Sequence, residues 1–149
     1  MNNINQPTII DGFSFVDDRG VLSGCNSMDL GFLKRFYIIE NHENRFIRAW
    51  HGHKFETKVF YCLSGSFLVG TVKIEDFDNP NPSTEARSFT LSFHKPQVLI
   101  VPGGFANGLM NLSSSSKLLV MSDKTLKESA EDDFRFDYNF WDVWSRNFR

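Results

Sequence analysis

The sequence predicts an all-β fold, a sandwich or barrel of antiparallel strands, and three observations carry that prediction. Short apolar runs alternate with turn residues along most of the chain, the rhythm of sequential hairpins. Phenylalanine is in surplus, 16 of 149 residues, which favours an aromatic β core over a helix bundle. Only one stretch, 123–133, reads even briefly as a helix.

Strands are expected over 8–15, 20–24, 32–40, 45–52, 57–63, 66–75, 86–93, 97–101, 107–112 and 116–122. Turn chemistry separates them: Asp17-Asp18-Arg19-Gly20, Glu40 to Asn44, Ser64-Gly65 and Pro102-Gly103-Gly104. The segment Asp78 to Thr84 is apolar only at its two prolines and reads as an exposed hairpin tip. For the helix, Asp123 is the expected cap, with Glu131, Asp132 and Asp133 closing it, although acids oppose the dipole at a helix C-terminus. The tail, with Phe134, Phe136, Tyr138, Phe140, Trp141, Trp144 and Phe148, is too aromatic to hang free. It must cover either the barrel's own end or a partner subunit.

A chain of 149 residues that is 41% hydrophobic can bury one sizeable core, so a single domain over 1–149 is expected. A formal net charge of −2 argues against a nucleic-acid footprint spread over the surface. The start, Met1 to Pro7, lacks the charged and apolar regions of a leader, and no run approaches membrane-spanning length, so a soluble cytoplasmic protein is expected. Cys25 and Cys62 lack CxxC spacing and read as free thiols, Cys62 as a buried structural one.

The stretch from Arg48 through Trp50, His51 and His53 to Lys54 carries the chemistry. In an extended strand Arg48, Trp50, Gly52 and Lys54 face one way while Ala49, His51, His53 and Phe55 face the other, so both imidazoles look into one space. That pairing suits a metal ion or proton transfer on a bound substrate. Between Lys34 and Lys58 six Lys or Arg stand against three acids, a local excess that suits an anionic ligand such as a phosphate ester.

Four pieces then carry a family resemblance: Asp18-Arg19-Gly20; Arg48 followed by His51; Lys58 followed by Gly65; and the string Val101-Pro102-Gly103-Gly104-Phe105-Ala106-Asn107-Gly108. With them the chain resembles the cupin superfamily, and within it the RmlC-like sugar-nucleotide enzymes typified by dTDP-4-dehydrorhamnose 3,5-epimerase. It also resembles the dTDP-sugar 3,4-ketoisomerase (WxcM-like) branch, through Lys34-Arg35-Phe36-Tyr37 and His51-Gly52-His53-Lys54. The resemblance covers roughly Asp18 to Asp142. It implies a cupin jelly roll, a double-stranded β-helix, here with a short helical and aromatic C-terminal tail. The epimerases carry histidine where this chain has Asn107, and the ketoisomerases glutamine where it has Lys58. The stretch 122–127 also lacks the tyrosine that reprotonates the sugar in epimerases.

The resemblance implies an isomerase without metal or organic cofactor, acting on a dTDP-linked 4-keto-6-deoxyhexose in cell-surface polysaccharide synthesis. Such chemistry needs a base of near-neutral pKa for the proton beside the keto group, and a cation or donor for the enolate oxygen. His51 is the expected base and Lys58 the expected enolate stabiliser. His53 is a second catalytic candidate and Tyr37 a proton donor, while Asp137 matches the aspartate that orients the base. Arg48 matches the contact to the nucleotide diphosphate, Arg19 is a further candidate for that anion, and Asn107 stands in the substrate wall. A homodimer is expected, with the N-terminal strand and aromatic tail building the neighbour's pocket. Two other readings stand beside this one: a non-catalytic sugar-binding cupin, and a metal site. Metal-dependent cupins would use His51, His53 and Glu56, but their last ligand position is Asn107, a poor ligand, and strand parity turns Glu56 away unless a bulge intervenes.

Overall fold

Twelve strands and one short helix form over the described residues, 4–145, of the computed structural model. In chain order they are β1 (Thr8–Asp11), β2 (Phe13–Asp17), β3 (Gly20–Gly24), β4 (Arg35–Ile39), β5 (Ile47–His53), β6 (Lys58–Ser64), β7 (Ser66–Lys73), β8 (Arg87–Ser92), β9 (Gln97–Val101), β10 (Phe105–Asn111), β11 (Lys117–Ser122), α1 (Leu126–Ala130) and β12 (Phe134–Arg135). Two five-stranded antiparallel sheets, ordered β1-β9-β6-β11-β4 and β12-β5-β10-β7-β8, face each other, and β2 and β3 form a separate hairpin. This is an antiparallel jelly roll, as the sequence led one to expect. Among the described residues no helix is long and apolar enough to cross a membrane.

Strand alternation builds the core. Phe60, Leu99, Leu118 and Val120 of the first sheet meet Phe67, Val69, Leu91 and Leu109 of the second, all buried. Each such side chain contributes about 1.5–3 kcal/mol by leaving water. The outer faces are covered too. Val59, Val98 and Ile100 lie beneath Met28, Phe32 and Leu33, while Trp50, Leu68, Val72 and Met110 pack against the tail residues Trp141 and Trp144.

Several sequence expectations change here. The strand expected over 8–15 is cut at Gly12, where a Cβ would lie 2.3 Å from the Gly24 carbonyl oxygen, so the chain leaves the sheet and starts the hairpin. The helix is shorter than 123–133, and its cap is Thr125 rather than Asp123, in a capping box with Glu128. Asp123 instead accepts the Thr57 N–H at 2.8 Å. The tail covers its own barrel: the Trp50 indole N–H reaches the Trp141 carbonyl at 3.1 Å, and β12 pairs with β5 of the same chain. Phe148 lies outside the described residues.

Candidate active site

The site begins with a bulge in β5. On β10, Asn107 and Leu109 are two residues apart, yet they pair with His51 and Arg48, which are three apart. The extra residue resets the phase, as bulges do. Arg48 therefore faces the same cavity as His51 and His53, correcting the simple alternation that put it on the opposite face, while Trp50 is left outside in the aromatic layer.

The cavity encloses about 590 Å³ at one end of the two sheets, within the range of small-molecule sites. One wall is Tyr37, Lys58 and Phe60 of the first sheet. The other is Arg48, His51, His53, Asn107 and Arg135 of the second, and α1 with Asp133 flanks them. Thr71, Asn107, His51 and Arg135 are successive register neighbours across β7, β10, β5 and β12. In antiparallel sheets such directly opposed residues share a face.

Each functional side chain has a distinct support. Arg48 donates from Nε to Asn41 Oδ1 at 2.7 Å, and Asn41 is itself held by Asn111 at 3.0 Å. Among the described residues no carboxylate pairs with the terminal nitrogens of Arg48, so its fork is open to an anion. Lys58 is buried and donates to the Tyr37 hydroxyl at 3.0 Å.

Glu56 follows β5 in a curled loop. The carboxylate of Asp132 accepts the backbone N–H groups of Lys54, Phe55 and Glu56 at 2.7, 2.9 and 2.9 Å, and this clamp shapes the curl. Glu56 thereby reaches the histidine side despite its sequence parity: its Oε1 lies 3.2 Å from His53 Nδ1. Its oxygens also meet Lys58 at 3.4 Å, Arg35 at 3.2 Å and the hydroxyls of Ser122 and Ser129. Burial alone would raise this carboxyl's pKa, but Ser122, Lys58, His53 and Ser129 outweigh it and hold it below its ordinary value. Among the described residues, no three of His, Cys, Asp and Glu are placed to hold a metal ion.

His51 is only partly buried, and burial pushes its pKa below the usual imidazole value. The Arg135 guanidinium pushes the same way, followed by His53 and Lys58, with Asp133 opposing. Below its ordinary value, the ring is neutral near pH 7 and able to accept a proton.

Six sequence-predicted residues thus converge on one cavity: Tyr37, Arg48, His51, His53, Lys58 and Asn107. Two do not. Asp137 is exposed and accepts the Asn139 N–H at 3.4 Å, so it stands away from His51. Arg19, with an 84% exposed side chain, pairs with Asp17 at the hairpin tip, outside this chain's own cavity. Sequence reasoning missed Arg135, Asp132 and the Asn41–Asn111 brace. The run Glu131-Asp132-Asp133 carried a usable signal, since acids disfavoured at a helix C-terminus need another purpose.

Solved structures share this architecture. The QdtA 3,4-ketoisomerase of Thermoanaerobacterium thermosaccharolyticum, in complex with TDP, is 24% identical, with 93% of each chain covered and a TM-score of 0.69. The dTDP-4-dehydrorhamnose 3,5-epimerase of Bacillus anthracis, with TDP and PPi bound, is 21% identical over 93% of this chain and 83% of that one, at a TM-score of 0.74. The corresponding epimerase of Elizabethkingia anophelis is 18% identical over 99% and 85%, at 0.75. No curated protein matches the sequence. The family model described as "FdtA: WxcM-like, C-terminal" matches residues 5–143, and with nearly its whole length inside that match the chain belongs to the WxcM-like C-terminal family.

Proposed function

We propose that this protein is an isomerase of a nucleotide-linked 4-keto-6-deoxyhexose, working by proton removal beside the keto group. One observation carries the reading: a neutral imidazole at His51 faces the Lys58 ammonium and Tyr37 hydroxyl across a single cavity that also holds the open fork of Arg48. His51 takes the proton from carbon. Lys58 keeps an N–H available for the developing enolate oxygen, and Arg48 holds the diphosphate. Asn107 lies beside His51 in the same row and offers a carboxamide to the sugar. The similar structures that carry TDP support a thymidine nucleotide as the handle.

Among isomerisations, an epimerase-like outcome is the first reading. The 3,4-ketoisomerase is the second, favoured by His53 on the same wall, a second group able to move the proton between neighbouring oxygens. We further propose that two copies associate through the β2–β3 hairpin, whose Phe15, Val16, Val21 and Leu22 are all more than half exposed. Arg19, at that hairpin's tip, would then reach toward the neighbour. Cytoplasmic supply of a sugar for cell-surface polysaccharide is the setting that fits such an enzyme.

Incubation with dTDP-4-keto-6-deoxyglucose in deuterated water tests the reading. Label at C3 alone or at C3 and C5 indicates epimerisation, and label accompanied by a displaced keto group indicates the ketoisomerase. No label would overturn the enzyme and favour a sugar-binding cupin.

A further inference from the structure

We propose that Glu56 is a positioning residue of this site, whose buried carboxylate joins the Asp132 carbonyl in fixing the proton arrangement of His53 and holds the Lys58 ammonium in place facing the sugar. The proposal rests on the isomerase reading and deepens it.

The geometry makes the carboxylate a hub. Glu56 is 1% exposed, and groups from five elements turn toward it: Arg35 of β4, His53 of β5, Lys58 of β6, Ser122 of β11 and Ser129 of α1. Asp132, the neighbouring acid that also meets His53, spends its carboxylate on the backbone amides of 54–56. Two cavity residues depend on the hub. His53 Nδ1 lies 2.7 Å from the Asp132 carbonyl and 3.2 Å from Glu56 Oε1, and both of those atoms only accept hydrogen bonds. The ring proton therefore belongs on Nδ1, which leaves Nε2 as the atom presented to the cavity. Lys58 is 6% exposed, and a cation so buried needs an anion close by. Glu56 lies 3.4 Å from it and is the only carboxylate within ion-pair distance among the described residues. With one proton on Tyr37 and the Glu56 charge beside it, the ammonium keeps a proton for the substrate.

Arg35 and the two serines make the hub more than a salt bridge. They saturate the carboxylate from behind, so it keeps its charge and its place when substrate arrives.

The test is E56Q, which keeps the shape and removes the charge, read in two ways on the full-length protein. In histidine labelled with ¹⁵N, wild-type His53 is expected to carry its proton on Nδ1, and E56Q, whose carboxamide can donate as well as accept, should show part of the ring protonated on Nε2 instead. In the deuterium-exchange assay, kcat should fall at least about tenfold with KM within about threefold, and E56D should recover part of the loss. A wild-type His53 protonated on Nε2 overturns the proposal, as does an E56Q enzyme with an unchanged His53 tautomer and unchanged kcat. Should E56Q not fold, the E56D rates and the E56D His53 tautomer decide it. If the wild-type protein exchanges no deuterium, the isomerase reading fails, while the NMR comparison still decides what Glu56 does.

Discussion

At the scale of single residues, the site separates a proton acceptor from an anion clamp. Replacing His51 with Asn should cost about 10²–10⁴ in kcat, the usual worth of a positioned base, measured as the rate of solvent deuterium entering the sugar. The pH dependence has a definite sign. Activity needs the neutral ring, and the His51 pKa is held below its ordinary 6.5, so kcat/KM should rise with pH through a midpoint under that value. Removing the cation in R135A should move that midpoint upward, and a profile that stays put would show that Arg135 does not face the working imidazole. Arg48 is held through Nε with its terminal nitrogens open. R48A should therefore raise KM about 10–100-fold, the worth of a charge-assisted bond, with kcat changed less. The residue types here were legible: paired histidines, an arginine and a lysine at strand spacing announce proton and anion chemistry. The inward turn of Arg48 was not, because one extra residue in β5 reverses the parity on which the reading relied.

At the scale of elements, the outer face of the second sheet shows how closely strands and tail are matched. Gly70 and Gly108 are register partners on β7 and β10, and the indoles of Trp50 and Trp144 lie on them. A Cβ at Gly108 would come within 2.6 Å of the Ala49 Cβ and 2.9 Å of Trp144, neither of which can retreat without moving the layer. G108A should cost about 1–3 kcal/mol, the range for overpacking, seen as a lower urea midpoint at unchanged slope. Strand existence was readable from alternation and turn residues; β3 and β9 match the expected 20–24 and 97–101. The ends of other elements were not readable, because they are set by distant contacts. Gly12 must pass against the Gly24 carbonyl, and Asp132 must draw in the backbone of 54–56.

At the scale of the molecule, acid stability depends on the buried Glu56 hub, and the proposed assembly on the exposed β2–β3 hairpin. The Glu56 carboxyl has a folded pKa below its ordinary value of 4.5, so the stability it contributes is complete above that value. It is lost progressively as pH falls from about 4.5 through the folded pKa. Thermal melts at decreasing pH should show Tm falling in this window, and E56Q should flatten that part of the curve. Association should depend on the apolar hairpin, which as an isolated two-stranded ribbon has little stability of its own. L22D should convert a dimer to a monomer in sedimentation equilibrium, since a charge there cannot be buried against a second copy. A wild-type protein that sediments as a monomer would remove the hairpin from any role in assembly.

The sequence by itself determined the fold class, because hydrophobic alternation and turn chemistry are local properties that any few residues display. It also determined the chemical character of the site, since the base, the cations and the amide are side chains and need no coordinates to be named. The tertiary structure decided which of them meet. It brought Arg48 inward, left Asp137 and Arg19 outside the cavity, and drew Arg135 in from the tail. It also buried Glu56 among five groups from five elements. Those outcomes depend on bulges, clamps and crossovers that join residues tens of positions apart, where the periodicity of one strand carries no information about the next.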